Sequence, residues 1–108
     1  MSLTLDDLPK AIKIGPYEIV LKIDPELGLR QDRWAIADHR YNEIVFAGTV
    51  PEGRPLAEAI LHEVLHHIGH IYGAPPEFQD DAIMSRIDKG LLDFLVHNKE
   101  LVLKLLEA

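Results

Sequence analysis

The chain has 108 residues, the length of one ordinary domain, and 47% of them are hydrophobic, which excludes a disordered protein. Its 18 acidic and 11 basic residues give a net charge of −7, so a phosphate backbone would be repelled and nucleic acid is not expected as a partner. Cysteine is absent, which excludes disulfides and thiolate ligands and leaves imidazole and carboxylate groups to hold any metal. We therefore expect a single domain over residues 1–108.

Hydropathy along the chain argues against a membrane protein. Its apolar runs all fall well short of the roughly 20 residues that cross a bilayer. The acidic stretch 1–7 lacks the cationic start and the apolar core of a signal peptide. These features predict a cytoplasmic protein with no membrane partner.

The first half of the chain predicts β-strands. Apolar and polar residues alternate along short runs, and turn residues such as Gly15-Pro16 separate these runs. The last two runs predict a hairpin, in which Trp34 and Phe46 contribute to the core. A loop is expected over 48–54. The predicted strands are 12–14, 17–23, 33–37 and 43–47.

The second half predicts helices. Pro55 suits the first turn of a helix and Gly73 suits its end, and the stripe between them predicts one buried face: Leu61, Leu65, Ile68 and Tyr72. A second helix is predicted from 77–79 to His97, continuing past Asn98 as an amphipathic stretch. Its expected apolar face consists of Ile83, Met84, Ile87, Leu91, Phe94 and Leu95. The fold class is thus α+β, with a small antiparallel or mixed N-terminal sheet followed by two helices.

Residues 62–70 read His-Glu-Val-Leu-His-His-Ile-Gly-His and contain the pattern H-E-x-x-H. On a helix, His62 and His66 lie one turn apart on the same side, so both imidazoles can bind one zinc ion. Glu63 lies about 100° further around the helix, beside the metal rather than on it. From there its carboxylate can take a proton from the water that the metal activates. The pattern therefore predicts a hydrolytic zinc site with Glu63 as general base.

A third metal ligand is needed, and the sequence offers several acids near the start of the second helix. The longer pattern H-E-x-x-H-x-x-G-x-x-H is missed, because Tyr72 stands where its last histidine would be. Asp80 is the preferred candidate, since it shares a side with the apolar face of that helix. Asp81 shares its side with polar residues and ranks second, and Glu77 ranks third.

The remaining polar candidates carry weaker expectations. His67 and His70 are read as helix surface or as groups that support the ligands. Tyr41 or Tyr72 could stabilise an oxyanion by donating from the phenol. His39 and His97 are isolated in the sequence and receive no role.

At these residues the chain resembles the gluzincin branch of zinc peptidases, in which H-E-x-x-H on one helix is completed by an acid on the next. More narrowly, it is similar to small phage and bacterial proteins of this length and to the catalytic core of ImmA/IrrE-type regulatory peptidases. The similarity spans residues 12–98. It implies a minimal zincin-like fold, zinc bound by His62 and His66, and Glu63 as base. The third ligand of that family is normally Glu, whereas this chain offers Asp80-Asp81.

The resemblance also implies a substrate and partners. In such folds a sheet edge beside the metal binds an extended peptide as an added strand, and the expected edge is 43–47. We therefore expect a peptide or protein substrate, with a regulatory protein as a possible partner. Two alternatives stay open: a non-catalytic zincin-fold module with structural zinc or a protein-binding role, and a metal-buffering protein that uses His67 and His70.

Overall fold

A computed structural model describes residues 2–28 and 33–108. Four strands come first, followed by three α-helices, so the predicted α+β class is confirmed. The strands are β1 (Ala11–Ile14), β2 (Tyr17–Asp24), β3 (Ala35–Asp38) and β4 (Glu43–Ala47). The helices are α1 (Arg54–Ile71), α2 (Asp81–His97) and α3 (Lys99–Leu106), and a short 3-10 helix (Pro76–Gln79) connects α1 to α2.

The four strands form one mixed sheet in the order β1-β2-β4-β3. β1 and β2 pair antiparallel across the Gly15-Pro16 turn, β2 and β4 pair parallel, and β3 and β4 pair antiparallel. The expectation that 43–47 is the sheet edge is wrong, because β4 lies between β2 and β3. The β3–β4 hairpin joins the sheet through β4, which leaves β3 at one edge of the sheet and β1 at the other.

Helix α1 packs on one face of this sheet, but with a different stripe from the predicted one. The buried core of the domain includes Ile19, Ile44, Phe46 and Leu56. Ala59, Ile60, Val64 and Ile71 of α1 pack against that core. In the predicted stripe, Leu61 and Leu65 are half-buried, whereas Ile68 and Tyr72 are exposed. Both faces of α1 are apolar, so helical periodicity alone could not tell which one meets the sheet.

Helix α2 packs against α1 with a largely polar stripe at its start. Met84 and Asp88 are buried and Ser85 is half-buried, whereas Ile83 and Ile87 of the predicted apolar face are among the exposed hydrophobic residues. The expected rotation of α2 is therefore wrong over its first two turns. Among the described residues, no helix combines the length and apolarity that crossing a bilayer demands.

Phe46 and Trp34, both read from the sequence as core, have different surroundings. Phe46 is 0% exposed, whereas Trp34, just before the edge strand, is 50% exposed. Phe46→Ala should lower the free energy of unfolding by about 3–5 kcal/mol, the usual cost of removing a buried aromatic ring. Trp34→Ala should cost about 1 kcal/mol or less, since half of its ring remains in water. Urea unfolding followed by circular dichroism measures both; equal losses would contradict this placement of Trp34.

Candidate metal centre

Helix α1 brings the two histidines of the H-E-x-x-H pattern together. Their Nε2 atoms lie 3.1 Å apart, with the rings edge to face at a centroid distance of 4.7 Å. Four residues make slightly more than one helical turn, so both rings leave α1 in nearly the same direction. His66 is buried and His62 is half-buried, which holds both rings in place. The predicted pairing of His62 and His66 is therefore present in the fold.

The Nδ1 atom of each histidine has a partner that can only accept a hydrogen bond. His62 Nδ1 lies 2.9 Å from a carboxylate oxygen of the buried Asp88, and His66 Nδ1 lies 3.2 Å from the backbone carbonyl of Phe78. Each Nδ1 must therefore carry the hydrogen and donate it. In the neutral rings, both Nε2 atoms consequently present lone pairs, the form in which imidazole binds a metal.

Asp81 adds a third acceptor at the same point. Its Oδ1 lies 3.1 Å from His62 Nε2 and 2.9 Å from His66 Nε2. Ligand atoms held tetrahedrally at the 2.0–2.1 Å bond lengths of zinc are about 3.3 Å apart. The three atoms are therefore nearly at zinc-binding spacing, and two imidazole nitrogens with one carboxylate are a donor set that zinc accepts. The residues fit a zinc ion.

The structure does not place Asp80, the preferred third ligand, at this centre. Asp80 is the N-cap of α2, and its Oδ1 accepts from the backbone N–H of Ile83 at 3.1 Å. A capping side chain is held against the first backbone N–H groups of its own helix. The side chain of the next residue, Asp81, lies on the first helical turn and reaches the two histidines of α1 instead. The structure thus places Asp81, and not Asp80, beside the two histidines. Glu77, the other alternative, is exposed on the 3-10 helix.

Glu63 lies beside the two histidines in a buried position. With His62 and His66 it forms a group whose ligand atoms all lie within 4.8 Å of one another. Burial raises the pKa of the Glu63 carboxyl to about 7, although the neighbouring His62 opposes this. A carboxyl with a pKa near neutrality can both accept and release a proton at physiological pH, which is what a general base needs.

Electrostatics at the centre couple the acids to the imidazoles. Burial alone would lower the pKa of His62, but hydrogen bonds to Asp81 and Asp88 outweigh it and raise that pKa. Partial burial would raise the pKa of Asp81, but the hydrogen bonds from His62 and His66 lower it instead. The carboxylate of Asp81 thus stays ionised and the site attracts positive charge.

A pocket of about 350 Å³ opens beside Glu63. The side chain of Arg33 lines it, and its guanidinium lies 3.7 Å from Oδ2 of Asp81. The pocket thus places the guanidinium of Arg33, the buried carboxyl of Glu63 and the ring of Trp34 near the candidate metal ligands. Its other lining residues come from the start of β3 and from both long helices: Trp34, Ala35, Pro55, Glu58, Ala59, His62, Asp81, Ser85, Asp88 and Lys89.

Neither tyrosine predicted to stabilise an oxyanion lines this pocket. Tyr72 follows the last turn of α1, and its hydroxyl lies against Gly15 in the β1–β2 turn. Tyr41 is exposed in the β3–β4 turn, where the guanidinium of Arg40 lies 5.3 Å from its ring centre. The positions of both residues contradict the expected role.

Sequence reasoning missed three features of the centre. Asp88 lies seven residues after Asp81, two helical turns along the same face, and the sequence pattern indicated that this face meets water rather than α1. The carbonyl of Phe78 carries no sequence signal, because any residue supplies one. Arg33 precedes β3 by two residues, and it comes close to Asp81 of α2 only because β3 lies at the edge of the folded sheet.

We find no match to the chain among models of protein families, among curated proteins or among solved structures. Its function is therefore inferred from the geometry of the site.

Replacing the two adjacent aspartates by alanine, one at a time, distinguishes the candidate metal ligand from the helix cap. Asp81→Ala should weaken zinc binding by at least about a hundredfold, because it removes one of three donor groups. Asp80→Ala should leave zinc affinity within about threefold of the parent and cost about 1 kcal/mol of stability, the usual price of an N-cap. Competition with a chromophoric chelator measures the affinity and thermal unfolding measures the stability. The reverse pattern would restore Asp80 as the ligand.

Proposed function

We propose that this chain is a zinc-dependent peptidase. One observation carries the proposal: three lone-pair donors from His62, His66 and Asp81 converge within 3.1 Å of one another beside a pocket that contains a buried carboxyl. With both imidazoles neutral these three acceptors repel one another, and either a proton on an imidazole or a metal cation between them relieves the repulsion. The resemblance to gluzincins, in which an acid completes H-E-x-x-H from the next helix, agrees with this arrangement.

The chemistry divides between the ion and the chain. Zinc bound by these residues would supply a Lewis acid that polarises a carbonyl and acidifies water. Glu63 accepts a proton from the attacking water and later gives it to the leaving amine nitrogen, so the proton taken in the first step is returned in the second. Its pKa of about 7 suits both transfers. Asp88 holds His62 by its Nδ1–H, which keeps the opposite nitrogen free for the metal.

The edge strand β3 supports a peptide substrate. Within the described part of the chain, β3 pairs only with β4, so its outer side is open to a further strand. The first residue of β3, Ala35, lines the pocket next to Glu63. An extended peptide added to β3 would therefore run past the candidate base, with main-chain hydrogen bonds supplying affinity. The proposal keeps a cytoplasmic location, a protein or peptide substrate and a possible regulatory partner, without nucleic acid or membrane.

Arg33 is our candidate for stabilising the negative charge that develops on the carbonyl oxygen. Its guanidinium lines the pocket, and its distance of 3.7 Å from Asp81 keeps it close to the metal ligands. Its charge also lowers the pKa of Glu63 against the larger effect of burial. A fixed cation at the point where negative charge appears is the usual means of stabilising such a transition state.

The rival interpretation, a structural zinc site, turns on Glu63. A structural zinc is closed by four protein ligands, whereas a catalytic zinc keeps a position for water. The carboxylate of Glu63 is close enough to the histidines to become that fourth ligand. A single variant therefore distinguishes the two functions.

Glu63→Gln is expected to keep zinc affinity within about threefold of the parent and to lower peptide cleavage by about 10²–10⁴-fold, since an amide cannot act as the base. Metal analysis and cleavage of an unfolded protein measure the two quantities. The matched control is Glu58→Gln, which changes another acid of the same pocket, one and a half turns away on α1, and should cleave like the parent. Equal cleavage by parent and Glu63→Gln would refute the role of the base. A large loss of zinc affinity in Glu63→Gln would favour the structural site.

Arg33→Ala should lower kcat by about 10²–10³-fold, the usual loss when one stabilising donor is removed, while zinc occupancy stays complete. Tyr41→Phe and Tyr72→Phe should leave kcat unchanged, because both phenols lie outside the pocket. Steady-state kinetics on zinc-loaded protein measure these effects. An effect of Arg33→Ala confined to KM would instead mean that the guanidinium only binds substrate.

A further inference from the structure

Three histidines outside the metal centre form a second cluster. His39, in the β3–β4 turn, stacks in parallel on His70 of α1 at a centroid distance of 4.3 Å and an interplanar angle of 6°. It also meets His67 edge to face at 4.7 Å. His67 is fully buried, and its Nε2 donates to the backbone carbonyl of Glu43 in β4 at 2.8 Å. The expectation that His67 is helix surface is therefore wrong, and the isolated His39 acquires neighbours.

Gln79 connects this cluster to the metal centre. Its Nε2 donates to the backbone carbonyl of His66 at 3.0 Å, and its Oε1 lies 2.9 Å from Nε2 of His39. The carbonyl of His66 can only accept, which fixes the orientation of the Gln79 amide and makes His39 Nε2 the donor. Gln79 stands directly after Phe78, whose carbonyl accepts from His66 Nδ1. One short segment therefore contacts both the backbone and the ring of His66.

Glycine at position 69 permits this close contact. A Cβ atom there would lie 3.3 Å from Gln79 Nε2 and 3.3 Å from Phe78 Cβ, tighter than ordinary van der Waals contact. The 3-10 helix can consequently lie directly on the last turns of α1. Since Asp81 begins α2 two residues after Gln79, the position of this segment also sets where its carboxylate lies.

We propose that His39 and Gln79 are positioning residues of the metal centre, and that their hydrogen bond sets the zinc affinity by holding the ring of His66. This inference rests on the zinc site of the proposed function. Neither residue touches the three ligand atoms. They act through the backbone carbonyls of His66 and Phe78, so the sheet hairpin that carries His39 is coupled to the centre between the helices.

The cluster does not form a second metal site of its own. His39 and His70 are parallel and stacked, so their ring nitrogens do not point at a common ion. Nε2–H of His39 donates to Gln79 and Nε2–H of His67 donates to the carbonyl of Glu43. Nδ1 of His39 and Nδ1 of His67 have no hydrogen-bond partner in the described part of the chain.

The sharpest test is His39→Phe, which keeps the shape and the stacking of the ring but removes the donor to Gln79. It also removes the unpaired Nδ1, which offsets the hydrogen bond lost at Gln79, so stability should change little. Zinc affinity should nevertheless fall about tenfold, the lower end of the range for groups that orient a metal ligand without binding the metal themselves. Gln79→Met removes both hydrogen bonds at similar size and should weaken zinc binding at least as much. The matched control is His97→Phe, a histidine at the far end of α2.

Two measurements are made on each variant and on the parent: zinc competition with a chromophoric chelator, and ¹⁵N-histidine NMR, which reports the tautomer of His66 with and without zinc. Weaker zinc binding in His39→Phe and Gln79→Met without loss of thermal stability, together with a mixed tautomer at His66, supports the proposal. Parental affinity in both variants overturns it, and so does a loss of affinity that merely follows a loss of stability.

The two proposals fail in different ways. If the parent itself binds no zinc, the proposed function is refuted together with any effect on affinity, and the NMR signal of the metal-free protein then decides whether His39 and Gln79 hold the His66 ring. If the parent binds zinc and cleaves peptide while both variants match it, only the positioning role is refuted.

Discussion

The site depends on a point where, with both imidazoles neutral, three hydrogen-bond acceptors meet with no hydrogen among them. Each of His62 and His66 has a single N–H in its neutral form, and Asp88 and Phe78 take both of these hydrogens away from the centre. The facing lone pairs and the carboxylate of Asp81 then repel one another unless a cation lies between them. Protons can supply that charge in part, which is why the pKa of His62 is raised. A divalent ion supplies it without disturbing either outer hydrogen bond.

The same constraint explains why α2 turns a polar stripe towards α1. Burying Asp88 as an unpaired charge would cost several kcal/mol, but a charge-assisted hydrogen bond from His62 compensates it. The rotation that turns Asp81 and Asp88 towards α1 leaves Ile83 and Ile87 partly in water, which gives up part of their hydrophobic stabilisation. A domain of this size tolerates that loss at one helix because the sheet and α1 bury a separate apolar core.

The sequence was sufficient to predict the strands and helices and the spacing of the two histidines. It was insufficient to predict how each helix is rotated about its axis and which strands pair. Strand alternation and helix-ending glycines predict the α+β order, and a four-residue repeat places His62 and His66 together. The sequence did not show which aspartate lies beside the histidines, because hydrophobic periodicity assumes that the apolar side of a helix is buried, whereas Asp81 belongs to the polar side. The edge strand was misjudged because pairing between β2 and β4 is long-range and parallel, and local alternation does not encode it.

The orientation of α1 shows how closely fold and site are coupled. Successive residues of a helix are 100° apart, so the mean direction of His62 and His66 lies roughly 150° around α1 from that of the sheet-facing Val64 and His67. Glu63 lies between these two directions, which explains how it can be buried and still line the pocket beside β3. Both faces of α1 are apolar enough to meet a sheet, and the hydrogen bond from His67 to the carbonyl of Glu43 is made in only one of these rotations. A buried histidine outside the candidate metal centre thus favours the rotation that turns the other two towards α2.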